Sequence, residues 1–197
     1  MARFSSALQR TLRWEGGYAH DPADPGGETW QGVSRRAHPD WEGWPRVDAC
    51  KRQPGFPGNL ANAGLTPLVR LFYRENYWLP LLAERWASQP LAQAVFDAAV
   101  HGGLRTAIRR LQRCLNLLLP TSALHIDGVV GQHTLKAIEQ ALARDRGEDL
   151  LHAYLSLRLA SLLQLAERRP ASKRFVRGWL RRCVGFLPSE HNKLDTS

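Results

Sequence analysis

The chain has 197 residues, 44% of them apolar, with a formal net charge of +9 and a pI near 10.2. That length holds one compact unit or two small ones with a proper core, and the composition excludes wholesale disorder. The charge asks for a polyanionic partner, a description that nucleic acid, anionic lipid and bacterial cell wall all meet. The N-terminal run MARFSSALQRTLRWEGG has no apolar signal-peptide region, and no window is apolar enough for a membrane span, so synthesis in the cytoplasm without a signal peptide is expected. Cysteines at 50, 114 and 183 are too far apart for a metal-binding pair and are expected as reduced, buried thiols.

Apolar residues at Phe4, Ala7, Leu8, Leu12 and Trp14 predict an amphipathic helix over 4–14, with Gly16 just past its end. Glu15 then sits on the last helical turn beside an indole. Ionised carboxylates are disfavoured at helix C-termini and against aromatic rings, and a carboxylic acid that keeps its proton is what glycoside cleavage needs. The next stretch, to Ser34, is dominated by turn-formers: two Asp-Pro pairs and Gly26-Gly27 predict a tight hairpin. Asp21, Asp24 and Glu28 do not form a calcium loop, because the alternate positions are Ala23 and Pro25. In the hairpin, Asp24 and Thr29 either cap the turn or face Glu15 and hold a water.

Residues 35–65 carry many Trp, Pro and Gly and read as a long loop with short helical pieces. Thr66-Pro67 predicts an N-cap and first-turn proline for a helix over 68–78. On it Tyr73 and Tyr77 share a face beside Trp78, an aromatic row that suits core or binding platform, with Asn76 a polar residue within it. Pro90 opens a buried helix on which Asp97 and His101 sit four apart, as a structural ion pair or as part of a site. Two such residues without a third make no metal site, and no metal or cofactor is expected.

Helices follow over 107–118 and up to 143, joined through the turn Asp127-Gly128 and Gly131, and another covers 148–167. The segment 144–185 holds ten Lys/Arg and four Asp/Glu, a net +6. Its last helix, 172–184, should dock Phe175 and Trp179 on the core and turn its arginines outward, where they are placed to engage an anionic envelope surface.

Four stretches resemble one family. Glu15, Asp24 and Thr29 are similar to the Glu–Asp–Thr constellation of phage-type lysozymes, although the second gap there is usually one residue longer. EGGYxxDPxDPGGxTxxG(I/V)S at 15–34 resembles the glycoside hydrolase family 108 N-acetylmuramidases, as do YRxxYW at 73–78, the FDxAV run at 96–100 and FxxGWLxR at 175–182. His101 stands where that family commonly has Asn, which leaves its role open. DGxxGxxT at 127–134 resembles the signature of small peptidoglycan-binding helical modules, though Asp127 alone would also serve to fix the turn.

The resemblance implies a mainly α, lysozyme-like helical fold with a short β-hairpin after the first helix. Residues 1–103 would form the catalytic part, and 104–197 a helical peptidoglycan-binding part closely packed on it. It implies hydrolysis of the β-1,4 bond between N-acetylmuramic acid and N-acetylglucosamine. Glu15 is then the general acid, Asp24 positions water and stabilises positive charge, and Thr29 holds the water. Tyr18, Gln31, Tyr73, Asn76, Tyr77, Trp78, Asp97 and His101 become candidates for substrate contact. Carboxyl groups about 6.5–9.5 Å apart predict inversion and about 5 Å retention; the sequence does not fix the distance, and inversion is the expectation carried forward.

Peptidoglycan glycan strands are the expected partner and a monomer the expected state, with action in the periplasm after holin-type or secretion-system release. Two other classes fit less well. A catalytically inactive wall-binding or secretion-accessory protein of the same fold would not need all of Glu15, Asp24 and Thr29. A nucleic-acid-binding protein would need a recognisable reading motif, and none is present, so no specific nucleic acid is expected.

Overall fold

The computed structural model describes residues 1–20, 27–119, 123–143 and 146–187. Asp24 lies outside them. The described residues are mainly α-helical with one small sheet, and the chain divides into two compact units, Phe4–Pro80 and Leu81 onward together with Met1–Arg3. No helix among the described residues is long and apolar enough to cross a membrane.

The first unit opens with α1 (Phe4–Leu12), which buries Phe4, Ala7, Leu8 and Thr11 on one face. The helix ends two residues before the expected Trp14. Trp14 and Glu15 continue as a turn, their N–H groups donating to the carbonyls of Thr11 and Leu12 at 3.0 and 3.3 Å. Gly16 follows with φ +65°, the left-handed conformation that glycine adopts most readily after a helix. Then come three two-residue strands, β1 (Tyr18–Ala19), β2 (Thr29–Trp30) and β3 (Val33–Ser34), antiparallel in the order β1-β2-β3. Ala19 and Ser34 flank Thr29, and Tyr18 and Val33 flank Trp30. Gln31 and Gly32 join β2 to β3 with φ +45° and +81°. Positive φ at both central residues is the pattern of the two-residue type I′ hairpin turn, whose twist matches that of the strands.

Helix α2 (Trp44–Lys51) lies within the predicted loop, and α3 (Thr66–Tyr73) follows a short 3-10 turn. Thr66 is not the cap of α3: the N-cap is Leu65, without a side-chain bond, and Thr66 is already helical, with Pro67 in the first turn where no N–H is missed. Nor does the helix run on to Trp78 as α. Residues Arg74–Trp78 form a π-helical turn, closed by Leu79 N donating to Arg74 O at 2.9 Å. Trp78 is fully buried against Phe4, with ring centroids 5.6 Å apart. It is a core residue, which corrects its expected place against substrate.

The second unit consists of α4 (Gln89–Gly102), α5 (Leu104–Leu118), α6 (Gln132–Ala143), α7 (Gly147–Arg168) and α8 (Val176–Val184), with a 3-10 segment over Pro170–Phe175. Ser88 caps α4, its hydroxyl accepting from Leu91 N at 3.3 Å. Helix α7 packs on α4, α5, α6 and α8. At its centre Asp97 of α4, fully buried, meets two guanidinium groups. Arg158 Nη2 of α7 approaches Oδ2 at 2.8 Å, and Arg182 of α8 approaches through Nη2 to Oδ1 at 2.8 Å and Nε to Oδ2 at 2.9 Å. The ion-pair reading therefore describes Asp97, and Arg182, expected to point outward, is buried on it.

Phe175, expected to dock on the core, is 48% exposed and stacks on Trp179 with centroids 6.1 Å apart. Both residues sit at the edge of this unit rather than in its core. Cys50, Cys114 and Cys183 are all buried and free.

Candidate active site

Glu15 is half-buried, carried on the turn that leaves α1. The β2–β3 turn closes over it. A Cβ built on Gly32 would collide with Tyr73 Oη and stand 2.9 Å from Glu15 Oε2, so only glycine lets the turn approach both groups. Tyr73 is buried, and its hydroxyl donates to Gln31 O at 2.7 Å. Gln31 N in turn donates to Gly17 O at 3.1 Å. These two bonds pin a non-glycine residue in a sparsely populated conformation. One turn on, Tyr77 lies 5.8 Å from the Tyr73 ring, and its phenol is pushed upward by burial and then by the charge of Glu15. Tyr77 therefore keeps its proton and offers a hydroxyl beside the carboxyl. The structure thus gathers Glu15, Gln31, Gly32, Tyr73 and Tyr77 at one place.

Thr29, half-buried, occupies the middle strand between Ala19 and Ser34. Strand alternation puts its side chain on the sheet face opposite Glu28 and Trp30. Glu28 is a group that sequence reasoning discarded with the calcium loop. It is 8% exposed, with Oε2 2.8 Å from Arg35 Nε and Oε1 2.6 Å from Lys51 Nζ. Arg35 also grips Asp48 at 2.6 Å, and that hydrogen bond holds the Asp48 carboxyl below its usual range. Tyr18 joins the cluster. Burial, then its hydrogen bond to Glu28, raises its phenol, and its ring meets Phe56 edge-on at 4.7 Å. The result ties the hairpin to α2 through part-buried charges gathered on the buried Glu28. The cross-strand pair Glu28–Arg35 was the one part open to sequence; Lys51 lies too far along the chain to be inferred.

Asn76 is exposed on the π turn, and its Nδ2 donates to Phe72 O at 2.9 Å. It lines a cavity of about 350 Å³ with His38, Asp40, Trp41, Glu42 and Glu75. Asp97 and His101 belong to the second unit. Asp97 is spent on its two arginines. His101, 6.2 Å from the Trp179 ring, is pushed down to about 4 by burial and then by Arg182 and Arg158, and so is neutral at physiological pH. No group of three or more metal-ligating side chains occurs among the described residues.

A mainly α fold with a short antiparallel hairpin after its first helix, and a glutamate at that junction, is the lysozyme-like class. Residues 8–103 match the family described as glycosyl hydrolase 108, and residues 106–184 match one described as a predicted peptidoglycan domain. The fold is similar to the solved structure of Brucella abortus SagA, with a TM-score of 0.59 and 23% identity, covering 95% of this chain and 97% of that one. Among curated proteins none matches. The chain belongs to the glycosyl hydrolase 108 family and carries the predicted peptidoglycan domain. It is therefore a glycoside hydrolase, and its partner polymer is peptidoglycan.

Proposed function

We propose that the protein hydrolyses the β-1,4 bond between N-acetylmuramic acid and N-acetylglucosamine, with Glu15 as general acid. The observation that carries this reading is the closure of the Gln31–Gly32 turn over Glu15, with the Tyr73 and Tyr77 phenols beside it. A carboxyl so placed is approached by the Gln31–Gly32 backbone and by the Tyr73 hydroxyl. Cleavage needs a proton delivered to the glycosidic oxygen as the C–O bond breaks, leaving positive charge on the ring carbon and oxygen. Glu15 supplies that proton. Asp24, carried on the segment leading into β2, would offer negative charge and orient the attacking water, and Thr29 would hold that water by its hydroxyl. Asn76, exposed on the π turn, suits an acetamido group. The site of action is then the cell wall, outside the cytoplasm.

Purified peptidoglycan digested by the wild type and by Glu15→Gln, with products reduced and read by mass spectrometry, tests the assignment. The wild type should release muropeptides ending in reduced N-acetylmuramic acid, and Glu15→Gln should release none. Equal digestion by both proteins would remove Glu15 from the role.

A further inference from the structure

Within the predicted peptidoglycan domain, α5, the turn that follows it and the first turns of α6 enclose a cavity of about 490 Å³. That volume lies in the range of small-ligand sites. Its floor is rigid because Gln112, 1% exposed, spends its whole amide on the turn. Nε2 donates to Asp127 Oδ1 at 2.8 Å and to Val129 O at 3.0 Å, while Oε1 accepts from Gly128 N at 3.0 Å. Gly128 (φ +81°) has no room for a side chain, since a Cβ would stand 2.9 Å from Arg105 O. The cavity is therefore held open by bonds that do not depend on a ligand.

Its polar lining favours an anion. Lys136, His125 and His133 line it and are exposed, and Gly131 and Thr134 bring the N-terminal, partially positive end of the 12-residue α6 to the same space. Asp127 is the one acid among the described lining residues. Its Oδ1 already accepts from Gln112 and, at 2.8 Å, from Val129 N, bonds that hold it below the usual carboxylate range. The remaining walls are the aliphatic Ala123, Leu124, Val129 and Ala137, with the Gln140 amide beside them. No Trp, Tyr or Phe offers a flat face to a sugar ring. A lysine, two imidazoles, a helix N-terminus and aliphatic walls suit a short chain with free carboxylates and methyl side chains.

We infer that this cavity binds the carboxylate-bearing peptide stem of peptidoglycan, while the glycan strand is handled by the other unit. The inference rests on peptidoglycan being the polymer, and not on Glu15 being the acid. It gives the second unit a ligand chemistry of its own and makes recognition sensitive to the stem.

The test uses the full chain carrying Glu15→Gln, isotope-labelled and followed by NMR. It is titrated with a soluble disaccharide-tetrapeptide, with the same compound after its carboxyls are converted to amides, with the peptide-free disaccharide, and with inorganic phosphate. The resonances of Gly131, His133, Thr134 and Lys136 should move with the unmodified muropeptide alone. Lys136→Glu should weaken that binding by about tenfold or more, the size of a lost charge-assisted bond. Lys136 is exposed, so the fold should survive the change, and the amidated ligand repeats the test without any variant. Equal movement with the disaccharide, the amidated compound or phosphate overturns the inference, as does muropeptide that leaves these resonances still. Shifts confined to residues around Glu15 would sink this cavity's role and leave the proposed hydrolysis standing; the digestion described above decides that reading separately.

Discussion

Replacing Asp97 by asparagine should be among the most damaging single changes in the second unit. The variant keeps the shape but deprives Arg158, 2% exposed, and Arg182, 6% exposed, of the buried carboxylate they share. The two guanidiniums now share one carboxylate across contacts of 2.8 to 3.0 Å, so both lose their partner at once. Removing one member of a buried pair costs about 3–5 kcal/mol, because the remaining charge stays desolvated. At ~2–4 °C per kcal/mol for a chain of this size, the melting point should fall by about 6–20 °C. Calorimetry of wild type and variant measures this, and Arg182→Lys is the control. Lysine keeps the charge but loses the fork that spans both carboxylate oxygens, so its loss should be smaller. A drop below about 1 kcal/mol for Asp97→Asn would refute the claim that this carboxylate neutralises both arginines.

Other outcomes follow from the same geometry. Gly32→Ala forces a Cβ onto Tyr73 Oη and Glu15 Oε2 at a φ of +81°, so hydrolysis should fall by about tenfold or more, with a strain cost of about 1–2 kcal/mol; unchanged turnover would mean the turn does not position Glu15. His101 titrates at about 4 in the fold against 6.5 unfolded, so the unfolded state binds the extra proton between those values. Its stabilising contribution is complete above pH 6.5 and disappears as pH falls towards 4, and urea unfolding of wild type and His101→Asn should show a shallower acid loss in the variant. NMR of freshly released reducing ends should show inversion at the anomeric carbon; retention would place the second carboxyl close enough to act as a nucleophile.

Much of the helical framework was legible in sequence because its apolar residues recur at helical spacing. Helices predicted over 107–118 and 148–167 are found at Leu104–Leu118 and Gly147–Arg168. The errors come from interactions that no local pattern carries. Arg182 reads as an outward arginine until Asp97, 85 positions earlier, is seen beside it. Trp78 belongs to an aromatic row that suits core or binding platform alike, and only its packing on Phe4 assigns it to the core. At the site, Glu15 and the turn-rich hairpin announced themselves through composition, and Tyr73 and Tyr77 through spacing. Gly32 was visible only as part of a motif, since its role depends on where a phenol from α3 arrives.

The three free cysteines give each unit its own chemical clock. Cys50 lies in Phe4–Pro80, and Cys114 and Cys183 lie in the other unit. Burial pushes the Cys114 thiol up to about 11 and raises Cys183 as well, so in the folded state neither offers thiolate to an alkylating reagent. Because all three thiols are buried, a reagent added for a fixed interval should mark molecules whose local structure has opened, and peptide mapping would separate Cys50 from the two thiols of the other unit. The wild-type chain needs no added label for this: it can report which half of a wall-degrading enzyme lets go first under heat, acid or denaturant.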